Sequence, residues 1–199
     1  YKDNMPNFSH DWFSHNIPNF TGVVQYMGPS SRILEIGSNE GRSTCWMLEN
    51  MLDDNGEITC IDPFVHSPLS AFNFDVNNED RSLETRFRTN VNEVKKPGQT
   101  INVMADLSFY ALAELIVQKQ QYDFIYVDGS HTAEESLADI IMAFGLLKKG
   151  GVMILDDYLW DHPAEHLDRP KMSIDSFINM FIRKIDILAQ NYQVIIRKK

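Results

Sequence analysis

Leu34-Glu35-Ile36-Gly37-Ser38-Asn39-Glu40-Gly41-Arg42-Ser43 is the stretch whose reading decides the fold. The apolar run that leads into it, Arg32–Ile36, lies between Pro29-Ser30 and Gly37 and reads as a short buried strand. From Arg42 to Leu52, apolar residues at Cys45, Trp46, Leu48, Met51 and Leu52 recur close to helical spacing. Strand, glycine-bearing loop and helix together make the opening of a βα unit. Glycines in such a loop let the backbone turn tightly and approach a ligand. The helix N-terminus that follows can meet a carboxylate or a phosphate. The spacing is Gly-x-x-x-Gly, neither the dinucleotide Gly-x-Gly-x-x-Gly nor a P-loop with its lysine, so phosphoryl transfer is disfavoured. Taken alone, the stretch also fits an ordinary βα turn.

The same alternation continues outward. Asp53-Asp54-Asn55-Gly56 is a turn signal, Glu57–Ile61 a second strand stopped by Asp62-Pro63, and Phe64–Asn78 a long loop-like connection. Glu79–Val94 reads as a helix, Thr100–Met104 as strand three, and Ser108–Gln120 as a helix with Ser108 at its N-cap. Tyr122–Val127 is strand four, Thr132–Leu147 a helix stopped by Lys148-Lys149-Gly150-Gly151, and Val152–Leu155 strand five. Ser173–Phe181 is helical. Lys184–Leu188 and Tyr192–Arg197 are β-like runs separated only by Ala189-Gln190-Asn191, too short for a parallel crossover, and are expected to form an antiparallel hairpin. The fold class that follows is α/β: a seven-stranded, mostly parallel, Rossmann-like sheet with helices on both faces and a C-terminal antiparallel hairpin. Residues 31–199 form its single domain. Residues 1–30 are an N-terminal segment in which Asp11-Trp12-Phe13-Ser14-His15-Asn16-Ile17-Pro18 either lids the site or packs on the core.

Open sheets of this kind bind ligands beyond the carboxyl ends of their strands, at the switch in strand order. Polar residues stand at those places: Glu35 to Ser38, Asp62, Asp106, Asp128 and Asp156-Asp157. Asp62, at the end of strand two, is placed to accept both hydroxyls of a ribose, although an aspartate before Pro63 also makes a turn. Asp128, Asp156 and Asp157 follow neighbouring strands. Three close carboxylates repel one another unless a cation neutralises them, and hard oxygen donors suit Mg²⁺ or another divalent ion. A loop role for Asp156-Asp157 is the competing reading. His131 follows Asp128 by three residues; histidine titrates near neutrality and is a candidate general base, metal ligand or first-turn residue.

Bulk properties narrow the classes. The chain has 199 residues, 43% of them hydrophobic, which suits one domain with a sizeable core. Its formal net charge of -10 argues against nucleic acid as a partner. No apolar run is long enough to span a bilayer, and no secretory signal is visible, so no membrane association and a cytoplasmic location are expected. Cys45 and Cys60 fall in a helix and a buried strand and are expected to be reduced thiols. The final strand, if exposed, can pair with a second copy in a homo-oligomer.

In combination the motifs resemble a class I methyltransferase dependent on S-adenosylmethionine (SAM), in particular a small-molecule O-methyltransferase-like family. The resemblance rests on Leu34-Glu35-Ile36-Gly37-Ser38 with Glu40-Gly41-Arg42-Ser43, on Val127-Asp128-Gly129-Ser130-His131, and on Leu147-Lys148-Lys149-Gly150-Gly151 followed by Asp156-Asp157-Tyr158. It covers the chain from about Asp11 onward. It implies that Glu35, Gly37, Ser38, Gly41 and Ser43 surround the amino-acid end of SAM, that Asp62 holds the ribose, and that Asp106 with Leu107 flanks the adenine. Asp128 would border both cofactor and reaction centre, with His131 as the catalytic partner. A divalent-metal site like that of catechol-type O-methyltransferases would use Asp128, Asp156 and Asp157, the last in place of an Asn. The implied partner is a small-molecule methyl acceptor. Metal-independent N-methylation, a non-catalytic SAM-binding module and, from another class, an NAD or nucleotide-sugar enzyme are the alternatives.

Overall fold

The computed structural model describes residues 5–65, 82–161, 165, 167 and 169–199. Seven strands form one sheet: β1 (Ser30–Ile36), β2 (Leu52–Ile61), β3 (Thr100–Met104), β4 (Tyr122–Val127), β5 (Leu147–Leu155), β6 (Ile185–Gln190) and β7 (Val194–Lys198). Their order is β3-β2-β1-β4-β5-β7-β6. β1 to β5 are parallel, β7 pairs antiparallel with β5, and β6 pairs antiparallel with β7. The expected parallel sheet with a terminal hairpin is therefore present. So is the reversal of strand order, which falls between β1 and β4.

Among the described residues, six α-helices accompany the sheet: α1 (Ile17–Met27), α2 (Arg42–Asn50), α3 (Ser82–Val94), α4 (Ser108–Val117), α5 (Ala133–Leu146) and α6 (Pro170–Phe181). Successive strand residues face opposite layers. Leu34, Ile36, Ile125, Val127, Met153 and Leu155 join the core beneath α4, α5 and α6. Ile33, Ile58, Phe124, Tyr126 and Ile154 join the core beneath α1, α2 and α3. Burial on both faces explains why the central strands read as continuous apolar runs.

Several local features differ from expectation. Asp53–Gly56 and Lys148–Gly151 were expected as a turn and a helix stop; both fall within strand spans, as excursions that do not pair. Ser30 pairs Leu52 while Arg32 pairs Glu57, and Tyr122 pairs Leu147 while Phe124 pairs Val152. The turn chemistry acts inside a strand whose two ends are both held by neighbours. The α4 N-cap is Leu107, in extended conformation, rather than Ser108. The hairpin turn lies at Asn191–Gln193, because the Asn191 side chain accepts the Gln193 N–H at 3.0 Å and closes a local turn there. The last strand is covered by β6, so β6 rather than β7 is the sheet edge.

Candidate functional site

The carboxyl ends of the parallel strands are stitched into one rim. The residue just past each strand donates its N–H to the last carbonyl of the neighbouring strand: Asp62 to Met104, Gly37 to Ile61, Asp128 to Ile36 and Asp156 to Val127, at 2.8–3.2 Å. This is why polar residues scattered through the sequence share one edge. At the switch point β1 and β4 approach so closely that a Cβ on Gly37 would lie 1.8 Å from the Asp128 carbonyl oxygen, with φ at +88°. Gly41, at φ +84°, is the left-handed N-cap of α2, and its bare Cα faces Phe87 and Val91 of α3. The two glycines thus serve close packing as well as the turn.

Glu35 is wholly buried behind this loop. Its carboxylate accepts from the hydroxyls of Ser38 (2.8 Å), Ser43 and Thr44. Burial pushes its pKa up, and the three hydroxyls oppose the shift. Glu35 therefore braces the loop from behind, while Ser38 and Ser43, both buried, face it. Asp62 stands beside the loop. One of its oxygens accepts the Asn39 N–H at 2.8 Å and the other the Phe64 N–H at 2.6 Å. Desolvation raises its pKa against these donors. Asp106, exposed beyond β3, accepts the N–H of half-buried Leu107 at 2.7 Å. The sequence-derived cofactor residues thus follow β1, β2 and β3 in order along the rim.

On the other side of the switch point lie the acids after β4 and β5. Tyr126, buried in β4, donates its hydroxyl towards Asp128 (2.9 Å) and Asp156. Asp156 also accepts from the Asn16 amide at 2.9 Å and from the Asp157 N–H at 2.7 Å. Asp157, at φ +58°, faces His131 Nε2 at 2.8 Å and accepts the Tyr192 hydroxyl at 2.9 Å. Burial first, and then repulsion from Asp156 and Asp157, holds the Asp128 carboxyl well above the ordinary range, although the residue is only partly buried. Burial and Asp157 push Asp156 up to about 6. The Tyr126 hydroxyl is held well up for the same two reasons, burial and neighbouring carboxylates.

Asp128, Asp156 and Asp157, the expected metal-binding trio, stand together beyond β4 and β5. Among the described residues no three His, Cys, Asp or Glu side chains are grouped so as to hold an ion. The donor types suit a hard cation, but their oxygens are turned to protein donors: Asp156 to Tyr126, Asn16 and its own chain, Asp157 to His131 and Tyr192. As arranged, the trio is two joined hydrogen-bonded networks.

Tyr126, Tyr192, Asn16 and Glu40 were not singled out in the sequence. Tyr126 and Tyr192 lie in runs that read as apolar strands. The side chains of Asn16 and Glu40 acquire their partners through contacts remote in sequence. The Phe64–Asn78 connection beyond Val65 lies outside the described residues.

The comparisons with known proteins decide the family. A family model described as a methyltransferase domain matches residues 34–158, more than half of the chain. This chain belongs to the methyltransferase-domain family. The methyltransferase domain also shares its fold with solved structures at low identity. An O-methyltransferase from Bacillus cereus, in complex with SAH (S-adenosylhomocysteine), aligns at 20% identity and TM-score 0.62, over 95% of this chain and 82% of that one. A Klebsiella pneumoniae protein assigned as an O-methyltransferase aligns at 17% identity and TM-score 0.63, over 96% and 83%. MycE, a methyltransferase from the mycinamycin biosynthetic pathway in complex with Mg, SAH and mycinamycin VI, aligns at 15% identity and TM-score 0.60, over 95% of this chain but 50% of its own. No curated protein matches significantly. Among the described residues, no helix is long and apolar enough to cross a membrane.

Proposed function

We propose that this methyltransferase binds SAM across the rim and transfers its methyl group to a hydroxyl of a small molecule. One observation carries the reading: the Gly37–Gly41 loop and Asp62 lie on one side of the β1/β4 switch point, and the Asp128, Asp156, Asp157 and His131 cluster lies on the other. The SAH complexes of two structural neighbours support the choice of cofactor. In this reading Gly37, Ser38, Gly41 and Ser43 form the wall around the methionine end, with Glu35 bracing it. Asp62 takes the ribose, and Asp106 with Leu107 the adenine. Residues 5–30 belong to the working domain through Asn16, which reaches the cluster.

Methyl transfer from a sulfonium requires only that the acceptor oxygen lie in line with the C–S bond. The O–C bond forms as the C–S bond breaks and leaves SAH, and the hydroxyl proton goes to a base. The protein's contribution is orientation and proton removal. His131 suits proton removal, because Asp157 engages its Nε2 and leaves Nδ1 to take the proton. Tyr126 anchors Asp128 and Asp156 beside it.

A divalent cation is the finer part of the proposal. Asp128, Asp156 and Asp157 would hold it after turning from their present partners. Such an ion, when bound, lowers the pKa of an acceptor hydroxyl. The repulsion of Asp128 by Asp156 and Asp157, and of Asp156 by Asp157, favours this reading.

Thermal-shift titration tests the cofactor. SAH at a hundredfold excess over its Kd is expected to stabilise the fold by ~2.7 kcal/mol, with no comparable effect of NAD. Stabilisation by NAD and not by SAH would falsify the proposal. For the cation, methyl transfer measured with tritiated SAM across a panel of phenols and sugars should fall in excess EDTA and return with MgCl₂. Turnover unchanged by the chelator removes the ion from the mechanism.

A further inference from the structure

The N-terminal segment touches both halves of the site, and it does so through side chains that no simple packing role requires. At one end, Ser9 donates its backbone N–H to Glu40 Oε2 at 2.6 Å and its hydroxyl to Oε1 at 2.5 Å. Glu40 lies within the glycine loop and is 8% exposed; its carboxylate also pairs with Arg86 of α3 at 2.6 Å. Asn90 of α3 completes the tie. Its amide donates to the Glu40 carbonyl at 2.9 Å and to the Asn7 carbonyl at 3.0 Å, while the Asn7 N–H returns a bond to its side-chain oxygen at 2.8 Å. Arg42, the first residue of α2, reaches Asp11 at 2.9 Å and Ser14 at 3.1 Å.

At the other end, Asn16 is 2% exposed and donates its amide to Asp156. His15 meets the Tyr192 ring edge-on at 5.3 Å, and Asn19 donates to the Gln193 side chain at 2.8 Å. Between the two ends, Phe13 packs on Phe20 and Trp46. The segment is therefore anchored to the loop, to the apolar core and to the carboxylate cluster in turn.

We propose that Glu40 and Asn16 are positioning residues through which residues 7–16 act as a strap, tying the Gly37–Gly41 loop to the Asp156 carboxylate so that occupancy of the loop is felt at the cluster. The inference rests on the cofactor reading above. The physical argument is linkage. The loop residue Glu40 has partly buried, charge-assisted bonds to the strap, and such bonds lose their geometry if the loop shifts by even an ångström. A ligand that selects one loop position must then also select the matching strap position, and with it the orientation of the Asn16 amide on Asp156. Neither residue needs to touch a substrate for this to hold.

Hydrogen exchange of the full chain, read by mass spectrometry with and without saturating SAH, tests it. In the wild type, SAH is expected to slow exchange in residues 36–43, in residues 5–16 and at residues 153–159. In Glu40→Ala the SAH Kd should weaken about fivefold or more, and the protection of 5–16 should disappear, while Glu40→Gln, which keeps an acceptor for Ser9, should restore much of both. In Asn16→Ala the protection of 36–43 and of 7–11 should persist, and that of 153–159 should be lost. A merely structural role lowers the thermal midpoint of the ligand-free protein in each variant but leaves the SAH-induced pattern unchanged, and that result overturns the inference. SAH protection confined to 36–43 in the wild type overturns it as well while leaving the cofactor reading standing. Absence of any SAH binding to the wild type overturns both.

Discussion

At the scale of single residues, the site is held by groups whose environments leave little freedom. Gly37 is the extreme case: a methyl group there collides with the Asp128 backbone and requires a left-handed conformation. Gly37→Ala is expected to destabilise the fold by more than about 2 kcal/mol, measured by urea unfolding, and to abolish SAH binding. Asp139 is a second case. It is buried in α5, its Oδ2 has no hydrogen-bond partner, and burial pushes its carboxyl up to about 7 against the Ser108 hydroxyl, with Glu135 adding repulsion. Its folded pKa lies above the unfolded value, so above pH ~4 the unfolded chain releases this proton and the folded chain keeps it. The group therefore subtracts stability between pH ~4 and ~7, by up to ~1.4 kcal/mol per pH unit, and no further above that. Asp139→Asn is expected to remove this slope, so that the variant gains on the wild type as pH rises from 4 to 7. Denaturant curves at four pH values check it, and parallel pH profiles would refute it. Tyr126→Phe removes the shared donor of Asp128 and Asp156. Turnover is expected to fall at least tenfold, of the order general for a lost site hydrogen bond, with SAH affinity within twofold of the wild type.

Elements carry the next level. Asp62, Asp106, Asp128 and Asp156 could be placed at one edge from the sequence because each follows a strand of a parallel sheet, and the alternation of strand and helix dictates parallel pairing. The strand excursions at Asp53–Gly56 and Lys148–Gly151 were not legible, because turn residues look alike whether they end a strand or loop out of one. α6 shows how an element is fixed by its partners. Phe177, fully buried, packs against Phe144 of α5 at 5.3 Å and stacks on Phe181 at 4.7 Å. Phe177→Ala is expected to cost about 3–5 kcal/mol in chemical denaturation, with the loss confined to stability. Unchanged unfolding midpoints would mean that α6 is not part of the cooperative unit.

At the scale of the whole molecule, two cores on opposite faces of the sheet leave its carboxyl edge as the place where polar groups collect. The sequence by itself determined the α/β class, the seven strands, the glycine loop and the identities of the acids beyond each strand. It could do so because periodicity and turn chemistry are local, and a parallel sheet converts them into position. Only the tertiary structure decided what those acids do to one another. Tyr126 lies between Asp128 and Asp156, His131 and Tyr192 hold Asp157, and Asn16 arrives from 140 residues away in sequence. The same holds for the glycine loop: Gly37 and Gly41 were legible as a turn, but Glu40 became a strap point only once Ser9 and Arg86 were brought to it. Contacts between distant segments depend on distances through space, which no local pattern encodes.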